Sequence, residues 1–120
     1  MLSGKPIPPP IGRVDTFVDV RDVARLMVFG ITHPKIANQQ RYIACGGCAN
    51  GQAIADILNK HYKDRNIAVG TPGEGYKPGW VFPEGGISID SSKAVKATGR
   101  QWIPYDKCVL DAAKSFETLL

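Results

Sequence analysis

The sequence predicts an α/β domain of short strands and about four helices. Two observations carry this: brief β-prone runs alternate with stretches whose apolar residues recur at a spacing of three to four, and the junctions hold residues suited to opening or closing a helix. The length agrees, since 120 residues with 43% hydrophobic content make one ordinary domain with a single core and exclude a two-domain enzyme.

Residues 1–13 carry Pro6, Pro8, Pro9 and Pro10 with Gly4 and Gly12, a composition that lacks the amide hydrogens for helix or internal strand and reads as an extended arm. The domain proper spans 14–120. It opens with a β-prone run over 14–18, followed by a helix in which Val20, Val23, Ala24, Met27 and Ile31 recur at helical spacing. Asp19 is its N-cap candidate and His33-Pro34 its stop. A second strand is predicted over 41–45, ended by Gly46-Gly47. Asn50 then caps a helix that sets Ile54, Ile57, Leu58 and a half-buried His61 on one face. Ile67-Ala68-Val69 and Ile87-Ser88-Ile89 read as two further short strands, separated by a long segment, 70–86, punctuated by glycine and proline. Loops of that length in a compact domain cover a site or a partner. Asp90-Ser91-Ser92 opens a helix that Gly99 closes, and a last helix runs over 105–118 with Val109, Ala112, Ala113, Phe116 and Leu120 on one stripe.

Composition narrows the function classes. The formal charge of +4 comes from 15 basic and 11 acidic residues that are interspersed, with no basic run and no row of aromatics among them, which argues against nucleic acid. No apolar stretch is long enough to span a membrane, and residues 1–5 lack the apolar stretch of a signal peptide, so the expected compartment is the cytoplasm. Three cysteines without an export signal do not suggest a disulfide framework.

Several motifs invite a chemical reading and have a plainer one. Cys45-Gly46-Gly47-Cys48 lies between a predicted strand and helix, where a dithiol gains thiolate character, yet the two glycines also serve simply to turn the chain. Zinc would need two more ligands from Cys108, His33 or His61, which are scattered, and no metal is expected. Gly73-Glu74-Gly75-Tyr76-Lys77-Pro78-Gly79 resembles a phosphate loop in composition only, because Pro78 and the glycines beyond Phe82 forbid the helix such a loop must open. No tyrosine is followed four residues later by lysine, and neither histidine has an evident serine partner. The Asp19-Val20-Arg21-Asp22 junction crowds two acids and an arginine at a strand-to-helix turn. A structural ion network is its plain reading, and an acid/base role its alternative if the junction faces a cavity.

Phe17-Val18-Asp19-Val20-Arg21-Asp22-Val23-Ala24, Gln40-Arg41-Tyr42-Ile43-Ala44, Gln52-Ala53-Ile54-Ala55-Asp56-Ile57-Leu58, Gly70-Thr71-Pro72-Gly73-Glu74-Gly75-Tyr76, Ile87-Ser88-Ile89-Asp90-Ser91-Ser92-Lys93 and Gly99-Arg100-Gln101-Trp102-Ile103-Pro104, in this order and spacing, resemble the C-terminal part of the extended short-chain dehydrogenase/reductases. The resemblance is to the fungal aldehyde/ketone reductase branch, related to dihydroflavonol reductases and the epimerase/dehydratases. It implies the last elements of the cofactor sheet and the small substrate-binding lobe. The glycine-rich nucleotide loop and the catalytic Ser, Tyr and Lys of that family have no counterpart here, which implies either a truncated stand-alone descendant or a piece of a longer product. No cofactor is expected for the chain by itself.

The expected function is binding of a small organic substrate with non-redox isomerase, cyclase or dehydratase chemistry in specialised metabolism. One alternative is the substrate-binding fragment of an NAD(P)H-dependent aldehyde/ketone reductase, inactive alone; another is a metabolite-binding or partner-docking module. The expected site uses Asp19, Arg21 and Glu84 as acid/base or polarising groups, with Phe17, Gly75, Tyr76 and Trp80 lining the substrate pocket. Apolar surface left without a partner, including Phe17, Val18, Tyr42 and Ile43, predicts a homodimer.

Overall fold

The computed structural model describes residues 15–71 and 88–117. They form a mixed α/β arrangement: β1 (Asp15–Phe17), α1 (Val20–Thr32), α2 (Pro34–Ala37), β2 (Gly47–Ala49), α3 (Gly51–His61), α4 (Ser92–Thr98) and α5 (Tyr105–Glu117). The arm over 1–13 and most of the 70–86 segment lie outside the described residues.

The helix boundaries follow from local chemistry. Asp19 caps α1, its carboxylate accepting from the Arg21 amide at 2.8 Å. The helix ends where the His33 amide donates to Phe29 O at 2.9 Å and Pro34 opens the short α2. Asn50 caps α3 through the Ala53 amide, also at 2.8 Å. Gly99 closes α4 in the left-handed conformation, φ 65°, which suits a residue without Cβ. At the start of α4 the capping bond comes from Asp90, whose carboxylate accepts from the Ser92 amide. The Ser91 hydroxyl instead ties this helix start to two other segments, donating to Cys45 O and accepting from Trp102 Nε1, each at 2.8 Å.

Among the described residues the only sheet is an antiparallel pair, β1 with β2, in the register Asp15↔Ala49, Thr16↔Cys48, Phe17↔Gly47. This departs from the predicted strands. The 41–45 run makes no ladder, and the strand lies just beyond, inside the glycine-containing turn. An extended run needs a neighbouring edge to become a strand, and no described segment pairs with 41–45. Tyr42 is held instead by side chains, edge-on to Phe29 with ring centroids 6.0 Å apart and under Lys93 Nζ at 5.2 Å. The predicted strand over 67–69 is likewise irregular, its carbonyls bonded to side chains of α3, and Ser88-Ile89 makes no ladder either.

The core sits between α3 and α5, where Leu58, Ile67 and Ala113 are buried and Ile54, Tyr62 and Val109 pack on them. His61, expected to be half-buried on that face, is exposed. One buried polar side chain organises the edge of this core. Gln52 donates from Nε2 to Asp56 Oδ1 at 2.7 Å and to Val69 O at 2.9 Å, and its Oε1 accepts from the Thr71 amide at 2.9 Å. Gly70, between those two backbone partners, has φ 60°, and a Cβ there would run into the Gln52 carboxamide.

Candidate functional site

The β1–α1 junction gathers the charged groups singled out in the sequence. Asp19 is buried and grips Arg21 three times: Oδ1 accepts from the Arg21 amide and from Nε, both at 2.8 Å, and Oδ2 accepts from Nη2 at 2.7 Å. Arg21 reaches on to α5 and donates from Nη1 to Asp111 Oδ2 at 2.7 Å, an oxygen that also receives Lys107 Nζ at 3.1 Å. The Arg21 fork holds the Asp19 carboxyl far below the usual carboxylate range, against the opposing effect of burial. The same pairing raises the Arg21 guanidinium. Asp111 is lowered by Arg21 and then by Lys107. The Cys108 thiol, half-buried against Asp19, is pushed up first by desolvation and then by that carboxylate.

Asp22, one turn on and equally buried, ties α1 to the α4–α5 link. Its Oδ2 accepts from the Ile103 amide at 2.7 Å and its Oδ1 from Arg25 Nη1 at 3.1 Å. The two acids of the motif therefore fasten one helix start to two later parts of the chain, which is the structural ion network anticipated as its plain reading. The sequence does not disclose this role of Asp22, because nothing local marks a carboxylate that bonds a backbone amide 81 positions away.

Of the expected site residues, Phe17, Asp19 and Arg21 are described and lie together. Phe17 packs on Tyr105 with ring centroids 4.7 Å apart and lies so close to Gly46 that a Cβ there would touch its ring. Gly75, Tyr76, Trp80 and Glu84 lie outside the described residues. A groove of about 620 Å³ opens between α1 and residues 98–102, with Asp22, Arg25, Phe29, His33, Arg100 and Trp102 among its lining. Phe17, Asp19 and Arg21 do not line it.

The cysteine motif proves inert in form. Cys45 and Cys48 are both buried free thiols, Cys48 lies within β2 and not at a helix start, and burial together with the neighbouring Cys45 pushes the Cys48 thiol up. Low reactivity follows, the reverse of an activated dithiol. Among the described residues no three His, Cys, Asp or Glu side chains gather as a metal site, and no helix is long and apolar enough to cross a membrane.

A dinucleotide pyrophosphate sits on free amides at a helix start that follows a strand. Of the two described helices in that position, α1 has its Arg21 amide bonded to the negative Asp19 and α3 its Ala53 amide bonded to Asn50.

Comparison with known proteins gives a consistent picture. No family model matches the chain. An uncharacterized oxidoreductase of Saccharomyces cerevisiae is 28% identical over 99 residues, which are 81% of this chain and 27% of that protein. The crystal structure of yeast methylglyoxal/isovaleraldehyde reductase Gre2, complexed with NADPH, superposes with a TM-score of 0.77 at 25% identity, covering 95% of this chain and 35% of that one. Gre2 from Candida albicans superposes equally well, TM-score 0.77 at 24% identity, over 98% of this chain and 34% of its own. The chain thus spans about a third of the length of these relatives. The order of the sequence segments and these superpositions agree: the chain resembles the C-terminal portion of the extended short-chain dehydrogenase/reductases in sequence order and in fold.

Proposed function

We propose that this chain is the substrate-lobe portion of an NAD(P)H-dependent reductase of small aldehydes or ketones, needing a nucleotide-binding portion for turnover. The observation that carries the reading is the superposition of 95% of the chain on a methylglyoxal/isovaleraldehyde reductase. When bound, the nicotinamide supplies the hydride. This chain's part is binding and orientation of the carbonyl compound, with Phe17 and the segment holding Gly75, Tyr76 and Trp80 as the proposed walls. Asp19 and Arg21 enter as a fixed charged frame. Held ionised and three times bonded to Arg21, Asp19 has no proton to give near neutrality, and its role here is to hold Phe17 and α1 in place. A cytoplasmic setting belongs to the same proposal.

Cofactor-independent isomerase, cyclase or dehydratase chemistry with Asp19, Arg21 and Glu84 as acid/base groups is the competing reading, and no observation favours it over reduction. The two separate in one experiment. The chain is grafted in place of the corresponding C-terminal third of yeast Gre2, and aldehyde-dependent NADPH oxidation is followed beside the chain alone. Turnover by the graft and none by the chain is expected. A folded, NADPH-binding graft that leaves a panel of small aldehydes and ketones untouched would overturn the reductase reading.

A further inference from the structure

The groove between α1 and residues 98–102 combines rings that are held in place with charges that are only partly answered. Asp22, Arg25 and Phe29 recur at a spacing of three to four, so they share one face of α1, and His33 follows at the helix end. Phe29 is buried and stacks on His33, with ring centroids 4.9 Å apart and planes 21° from parallel. Across the groove Trp102 is anchored by its Nε1 hydrogen, which goes to Ser91 Oγ at 2.8 Å. The charges divide in another way. Both oxygens of Asp22 are engaged within the fold, Oδ2 by the Ile103 amide and Oδ1 by Arg25, so that this acid and Arg25 neutralise one another. Arg100 is different. Its amide donates to Thr98 Oγ1 at 3.3 Å, but among the described residues its guanidinium has no hydrogen-bond or ion-pair partner.

We propose that this groove is a binding site for a small aromatic carboxylate, with the carboxylate on Arg100 and the flat apolar body against the rings of Trp102, Phe29 and His33. Three observations select that class of ligand. The guanidinium fork matches a carboxylate in shape as well as in charge, and Arg100 has no other acid to meet among the described residues. Once Asp22 and Arg25 cancel, a single arginine is left to answer the ligand, which suits one negative charge and not the several of a nucleotide. The volume of about 620 Å³ lies within the roughly 300–1,000 Å³ of small-molecule sites, and aromatic side chains already fixed in place lose little freedom when a ring packs on them. The groove is separate from Phe17, Asp19 and Arg21, which do not line it, and the proposal does not rest on the reductase reading.

The test titrates the full chain with 2-naphthoate in a calorimeter, beside 2-naphthamide, which keeps the rings without the charge, and acetate, which keeps the charge without the rings. Saturable one-to-one binding of naphthoate is expected, with both controls at least tenfold weaker. Arg100→Gln should weaken naphthoate at least tenfold and leave the melting temperature unchanged, because the guanidinium bonds nothing in the fold. Lys114→Gln, the same loss of charge on α5 and away from the groove, should leave the affinity as it was. The position is read by nuclear magnetic resonance in Trp80→Phe. Of the two tryptophans only Trp102 then remains, and naphthoate should shift its Nε1–H signal through the ring current of the bound acid. Absence of saturable binding overturns the proposal, as does equal affinity for the acid and its amide. An affinity indifferent to Arg100→Gln, or saturation with the Trp102 signal unmoved, places the acid elsewhere and overturns it too. Aldehyde reduction by the Gre2 graft, or its absence, leaves this outcome untouched, so the two readings stand or fall separately.

Discussion

Asp19 shows how a single side chain can be drawn from chemistry into architecture. Its carboxylate closes the first turn of α1 and binds Arg21, which in turn holds Asp111 of α5. Because its folded pKa lies below the value of about 3.9 it has in an unfolded chain, the stability it contributes is complete above that value and drains away as pH falls further. Asp111 acts in the same direction. Denaturant unfolding of the chain between pH 6 and 3 should therefore show stability falling from about pH 4 downward, with a shallower fall in Asp19→Asn. An unaltered slope in that variant would remove Asp19 from the acid-sensitive groups. The cysteines are equally definite. A thiol reagent at neutral pH should label the half-buried Cys108 first and reach Cys45 and Cys48 only as fast as the chain opens. Rapid native-state labelling of Cys48, read by peptide mass, would contradict its burial.

At the scale of elements, the join between α3 and the segment after it is set by an amide and a glycine. Gln52 satisfies Val69 O and the Thr71 amide, and Gly70 makes the room. Gly70→Ala should destabilise through two effects: the left-handed φ, about 1 kcal/mol for a residue with Cβ, and the collision with the carboxamide. Combined with Gln52→Ala, only the first should remain, so a double-mutant cycle by chemical denaturation should show that the two substitutions together cost less than their sum. Strict additivity would mean that the two residues do not meet. The missing strand over 41–45 belongs to this scale as well. Its residues have β-prone composition, yet pairing is a property of two segments, and its partner edge is not among the described residues.

For the molecule as a whole, a two-stranded sheet beside five helices leaves much apolar surface uncovered among the described residues. Exposed Val20, Met27 and Ile31 should make the free chain bind a hydrophobic dye such as anilinonaphthalene sulfonate. Met27→Glu with Ile31→Glu should cut that fluorescence at least twofold, whereas a signal indifferent to the pair would locate the uncovered surface elsewhere.

The features legible in the residues alone are local. The starts of α1 and α3 at Asp19 and Asn50, the stop at His33-Pro34 and the closing turn at Gly99 were legible because a cap or a turn is decided by a few neighbouring residues. The resemblance to the extended reductases, too, is legible in the order of the segments, and the structure superposes on a methylglyoxal/isovaleraldehyde reductase. Tertiary structure alone decided which face of α1 is buried, where the 41–45 run goes and whom Asp22 serves. Periodicity states that a helix has an apolar stripe without saying what the stripe meets. A carboxylate buried against an amide 81 residues later leaves no mark in its own neighbourhood.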